Sequence, residues 1–195
     1  MKNLIATLTL LLGGFAAVAA PSSPVPYPNP GTHIATGVSV YASGGDVQVT
    51  FLGKGVATYT DLLWLSSPGS AYSSPSTPIF NNQVSPANSV VDLGSFSAGT
   101  ELVFGMTDQN VSQTFYTGSA SRNPDNIVHA YVVNNYPANG STYIGFEDLS
   151  TNNNADFNYT DVQFTFTGIT GAVPEPSTVA LVGLGAAGLI IRRRK

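Results

Sequence analysis

The sequence predicts an all-β fold, a β-sandwich or jelly roll, and three observations carry that reading. Apolar and polar residues alternate with period two: Val47, Val49 and Phe51 against Asp46, Gln48 and Thr50, and Val162, Phe164 and Phe166 against Gln163, Thr165 and Thr167. That is the pattern of a half-buried strand. Short runs of β-favouring residues are separated by turn-rich stretches from residue 37 onward. No stretch between Pro21 and Val173 sustains a helical period.

In chain order, the further strands are expected at 38–42, 60–65, 90–93, 101–106, 114–117, 127–134 and 142–146. Ser43-Gly44-Gly45-Asp46, Ser97-Ala98-Gly99 and Ala138-Asn139-Gly140 read as hairpin turns. Eight to ten strands over 37–170 suit a sandwich. Trp64, inside the apolar run Asp61-Leu62-Leu63-Trp64-Leu65, reads as a core residue. At 195 residues the chain holds one such domain with appendages. It contains no Cys, which excludes disulfides, thiolate metal sites and a cysteine nucleophile.

The appendages are targeting segments. Met1-Lys2-Asn3, an apolar run from Leu4 to Phe15 and the small-residue site Ala17-Val18-Ala19 make residues 1–19 a secretory signal peptide, a substrate for the Sec translocon and signal peptidase. Residues 20–36 follow as a spacer, with five prolines between Pro21 and Pro30 favouring an extended, polyproline-like chain outside the core. At the other end, Pro174-Glu175-Pro176 precedes an uncharged run at about 176–191 and then Arg192-Arg193-Arg194-Lys195. The run is short for a membrane helix, which needs about 20 residues. The terminal basic cluster supplies a cytoplasmic anchor.

The order Pro-Glu-Pro, short apolar helix and Arg run, over 173–195, resembles the PEP-CTERM sorting signal of bacterial surface and exopolysaccharide-associated proteins, also known as the ice-binding protein C-terminal motif. The resemblance makes Pro174, Glu175, Pro176, Arg192, Arg193 and Arg194 the sorting residues. It implies recognition by an exosortase, cleavage near the Pro-Glu-Pro, and a transmembrane helix that is only temporary. The expected route is export, an inner-membrane-anchored precursor, and then the cell envelope or extracellular matrix.

The charge is segregated. Between residues 20 and 173, ten acids face only Lys54 and Arg122, so the body stands at about −8 against −4 for the whole chain. Such a body attracts cations and repels phosphate, which excludes a nucleic-acid partner.

One acidic segment carries most of the chemical interest. Gly145-Phe146-Glu147-Asp148-Leu149 is followed by Asn152-Asn153-Asn154 and by Asp156-Phe157-Asn158-Tyr159-Thr160-Asp161. Glu147, Asp148, Asp156, Asn158 and Asp161 supply the carboxylate and amide oxygens that a hard cation such as Ca²⁺ takes six to eight of. The segment is not an EF-hand, because Asp161 stands where Gly is needed and Thr167 where Glu is needed. Glu147 and Asp148 are neighbours and would face opposite sides of a strand, so one of them is expected to reach a given ion. The alternative is an Asx-rich surface turn whose side chains bond their own backbone.

The segment also resembles a domain of unknown function found in bacterial adhesins and other PEP-CTERM proteins. The match lies in Gly145 to Leu149, in Asp156, Phe157 and Asn158, and in the final strand from Val162 to Phe166, with Tyr159-Thr160 inserted before Asp161. Arg122-Asn123-Pro124-Asp125-Asn126 with His129 is a further point of likeness. The resemblance implies a β-sandwich, Ca²⁺ as the ligand and a role in adhesion or matrix.

Catalysis has little to stand on. His33 falls in the spacer and His129 reads as a satisfied strand residue. No nucleophile elbow, zinc motif or P-loop is present. The expectation is a non-enzymatic surface or exopolysaccharide-matrix protein that binds Ca²⁺, glycan or both. A carboxylate-dependent secreted hydrolase and a matrix protein without ligand are the alternatives. Tyr131, Tyr136, Tyr143 and Tyr159, among Asn-rich loops, suit either sugar stacking or ordinary strand positions.

Overall fold

Strands with one apolar face need a second apolar face to cover it, and here two antiparallel sheets cover each other. A computed structural model describes residues 27–55, 57–137 and 139–172. The signal peptide, residues 20–26 of the spacer, the sorting residues and the expected membrane helix lie outside the described residues. No helix among the described residues is long and apolar enough to cross a membrane.

Eleven strands are present: β1 (Ser39–Ala42), β2 (Gly45–Gly53), β3 (Asp61–Ser67), β4 (Phe80–Asn81), β5 (Val90–Phe96), β6 (Val103–Asp108), β7 (Gln113–Tyr116), β8 (Ala130–Asn134), β9 (Thr142–Phe146), β10 (Val162–Thr167) and β11 (Ile169–Ala172). One sheet runs β5-β2-β10-β9-β8, the other β4-β3-β6-β7, and β1 pairs with β11.

The alternating rows seen in the sequence form the core. Val47, Val49 and Phe51 of β2, with Val162, Phe164 and Phe166 of β10, share one buried cluster with Leu63 and Leu65 of β3 and Phe104 and Met106 of β6. Rings bridge the two sheets: Phe80 stacks on Phe164 at 6.0 Å and Phe104 meets Phe166 at 4.6 Å. Phe164 also contacts Phe51 and Phe146. A Phe164→Ala variant is therefore expected to lose about 3–5 kcal/mol, measurable as a lower urea midpoint.

Trp64 lies on the other face of β3. It is largely buried against Gly105, and its indole N–H donates to Thr107 Oγ1 at 3.0 Å.

The structure departs from the sequence expectations at two of the three turns. Ser43 to Asp46 and Ser97 to Gly99 are not hairpin turns. β1 pairs with β11 and β2 with β5 and β10, so the first segment carries the chain from one sheet to another. The second joins β5 to β6, again in different sheets. Of the three, only the loop containing Asn139 and Gly140 closes a hairpin, between β8 and β9.

Two strands were not expected, β4 and β11, and β11 extends the ordered domain to Ala172.

The last part of the spacer is seated on the domain. Tyr27 packs edge-on against Tyr131 and Tyr159, Ile34 bridges Val128, and the Gly31 amide donates to the Asp156 carbonyl at 2.9 Å. The segment is not extended as the prolines led one to expect: the Thr32 amide donates to the Asn29 carbonyl at 3.1 Å and Gly31 takes φ 87°, a turn that lets the tyrosine and isoleucine find something to bury. His33 is exposed.

Candidate metal centre

Along β3, Asp61 is in phase with the core residues Leu63 and Leu65. Along β6, Asp108 is in phase with Phe104 and Met106. Both aspartates therefore extend the inward row to the end of the strand. The register sets them directly opposite each other, Asp61 against Asp108. Like charges so placed destabilise a sheet.

The segment after β9 brings further carboxylates to the same end of the sandwich. β9 stops at Phe146, so Glu147 and Asp148 lie beyond the strand and its alternation does not separate them. Both converge with Asp161, which leads into β10. Ligand oxygens of Glu147, Asp148 and Asp161 lie within 4.8 Å of one another, and so do those of Asp61, Asp108 and Asp148. Two oxygens on opposite sides of a Ca²⁺ ion, each at about 2.4 Å, are separated by about this distance.

All five carboxylates are buried: Asp61 and Asp108 are 0% exposed, Glu147 1%, Asp148 5% and Asp161 7%. The protein holds one oxygen of several of them and leaves the other without a partner. Asp61 Oδ2 accepts from Asn82 Nδ2 at 2.6 Å, while Asn82 Oδ1 accepts from the Asp61 amide at 2.9 Å. Asp108 Oδ1 accepts from the amides of Asn110 and Val111, and Glu147 Oε1 from the amide of Leu149. Asp161 Oδ2 accepts from the Asp148 amide at 3.2 Å. Asp61 Oδ1, Asp108 Oδ2 and Glu147 Oε2 are buried with no hydrogen-bond partner. A buried acceptor left in this state costs about 1–3 kcal/mol, more when charged.

The cluster is electrostatically loaded. Burial pushes Asp61 up to about 8, with Asp148, Asp108 and Asp161 adding to it and Lys54 opposing. Burial, then Asp161 and Asp156, pushes Glu147 up to about 9. Asp161 is raised to about 7 by burial and by Asp148, and Asp148 to about 6 by burial and by Asp108. Asp108 is also raised by burial, against the pull of its two amide donors.

Little positive charge lies nearby. Among the described residues Arg122 is paired with Glu101 at 2.9 Å, and Lys54 is exposed and donates to Gln83.

The five residues expected as ligands divide into two groups. Glu147, Asp148 and Asp161 form a buried triad. Asp156 and Asn158 behave as the alternative reading held. Asp156 Oδ1 accepts from the Asn158 amide at 3.1 Å, and Asn158 Oδ1 accepts from the Thr160 amide at 2.7 Å, giving two successive Asx turns. Asp156 still lines the cleft over the triad, a space of about 220 Å³ bordered also by Tyr59, Asn154 and Leu149.

The turn is tightly constrained. Phe157 and Tyr159 sit at φ 48° and 57°, a region bulky side chains rarely enter. Tyr159 is held there by its hydroxyl, which donates to Val128 O at 2.9 Å and accepts from the Ile34 amide at 3.0 Å. Its carbonyl lies so close to Gly145 that a Cβ on that residue would sit 2.2 Å from it. Gly145→Ala should therefore displace the turn and cost about 1–3 kcal/mol, measurable by urea denaturation.

Asp61 and Asp108 were not among the expected ligands. The signal that finds them is their phase: each is an acid in register with a buried apolar row.

His129 is buried and stacked on Phe115 at 3.8 Å. Its Nδ1 lies 3.1 Å from Glu147 O and its Nε2 3.2 Å from the Asp125 carboxylate. These are the contacts of a satisfied structural residue.

The geometry defines a class: a β-sandwich with a buried, all-oxygen acidic centre opening into a cleft. The PEP-CTERM protein-sorting motif matches residues 172–195, and it makes the chain an exported surface protein sorted by an exosortase. No curated protein and no solved structure matches the chain.

Proposed function

We propose that the mature protein is a non-enzymatic module of the cell surface or exopolysaccharide matrix whose acidic cleft binds Ca²⁺ through Glu147, Asp148 and Asp161. The observation that carries this reading is the partnerless buried Glu147 Oε2 within a set of carboxylates spaced for one ion. The donors are all oxygen, with no Cys in the chain and no His in the set, which suits a hard cation rather than zinc. Asp156, at the rim, adds negative charge where the ion would enter. The segments resembling the adhesin-associated domain, Gly145 to Leu149 and Asp156 to Asn158, enclose this cleft. An exopolysaccharide is the partner class this setting favours. Tyr143 and Tyr159 are buried, so neither offers a ring face for sugar stacking.

Two measurements test the reading. Calorimetric titration of Ca²⁺ into the chain should show binding, with the part due to Glu147, Asp148 and Asp161 lost in Asp161→Asn, and absence of heat and of bound ion in the wild type overturns the reading. Mass spectrometry of the extracellular protein should find the C-terminus near Pro174-Glu175-Pro176. Retention of Arg192 to Lys195 would refute processing at that site.

A further inference from the structure

We propose that the centre holds two divalent cations rather than one, in adjoining subsites bridged by Asp148, and that the second, formed by Asp61, Asp108 and Asp148, ties the two sheets of the sandwich together. This extends the Ca²⁺ reading above and rests on it for the kind of ligand.

Three observations carry it. The five carboxylates fall into two overlapping sets of three, sharing Asp148, and not into one set of five. Each set has its own buried, partnerless oxygens: Glu147 Oε2 in one, Asp61 Oδ1 and Asp108 Oδ2 in the other. An ion confined to the first set leaves the pair on β3 and β6 unanswered, although the sheet register places these two aspartates face to face with both side chains fully buried.

Charge points the same way. One divalent ion would leave the five carboxylates three negative charges in excess, whereas two leave one. The oriented oxygens also fit. Asn82 fixes Asp61 through two reciprocal bonds, and the Asn110 and Val111 amides fix Asp108, so each presents its free oxygen without needing to move.

The second subsite is a structural clamp. Asp61 and Asp108 belong to the four-stranded sheet, while Asp148 follows β9 of the five-stranded sheet. An ion shared among them links the two layers across the end of the core, where the apolar rows stop.

The test is a count of bound Ca²⁺ per full-length chain by equilibrium dialysis with radioactive calcium, at saturating free ion. Two ions are expected in the wild type, one in Asp61→Asn, one in Asp161→Asn, and fewer than one in Asp148→Asn. One ion in the wild type overturns the second subsite and leaves the Ca²⁺ reading standing, whereas none overturns both. Two ions retained in Asp61→Asn and in Asp108→Asn would remove these residues from the centre. Should either variant fail to fold, the wild-type count alone decides between one subsite and two.

Discussion

Withdrawal of calcium should lower the melting temperature of the protein by about 5–10 °C for each ion lost. A ligand bound only by the native state stabilises it by about 2.7 kcal/mol at a hundredfold excess over its Kd. For a domain of this size, each kcal/mol moves the midpoint by about 2–4 °C. The comparison is thermal unfolding in excess Ca²⁺ against excess chelator, followed by circular dichroism in the strand region. Glu147→Gln and Asp161→Asn should abolish the part of the shift due to the first subsite. Asn158→Ala should leave most of it, because that side chain serves an Asx turn and does not line the cleft. Identical melting curves in the two buffers would mean that the buried carboxylates are not answered by a cation.

The second large effect is a reversal of the pH dependence. In calcium-stripped buffer, stability should fall as pH rises from about 4 to about 9. The sign follows from the direction of the shifts. Glu147, Asp61, Asp161 and Asp148 are pushed up to about 9, 8, 7 and 6, above the ordinary carboxylate range. Their protons are therefore held more tightly in the folded chain than in the unfolded one. The resulting stability is complete below the ordinary carboxylate pKa and is lost as pH climbs through the raised values. Calcium competes with those protons, so the gain in melting temperature on adding it should be smallest near pH 5 and grow toward pH 9. Melting temperatures measured across that range, with and without Ca²⁺, give both slopes. A flat profile in stripped buffer would contradict the burial of these groups.

The strands of the core were legible because period-two alternation is a local signal: Val47 to Phe51 and Val162 to Phe166 announce one buried face each. β4 and β11 were not. Phe80–Asn81 is too short to alternate, and Ile169–Ala172 carries a glycine and little bulk. Both are held by pairing with distant strands, which a local pattern does not record. The misread hairpins have the same origin. Ser43 to Asp46 has turn chemistry, but which strands a turn joins depends on sheet assignment.

The site was half legible for a related reason. Glu147, Asp148 and Asp161 lie close in sequence and stood out as an acidic loop. Asp61 and Asp108 were hidden at the ends of apolar runs, and only the inward phase of their strands and the register between them brings them to the loop. The alternation argument that would have separated Glu147 from Asp148 failed because β9 ends at Phe146, two residues short of Asp148.

β11 ends at Ala172, where the sorting motif begins; it starts at the Thr142 end of β9, where Thr142 Oγ1 donates to the Ile169 carbonyl, and runs on so that Gly171 lies against Val132. The acids follow the opposite end of β9, after Phe146. The chain therefore leaves β11 alongside the middle of β8 and β9, since Val132 is paired with Ile144. A molecule held through Ala172 is held first by the β1–β11 pair, whose register sets Ser39 against Ala172. Any load on that tether would bear on this short pair of strands before it reached the core sheets or the acidic cleft.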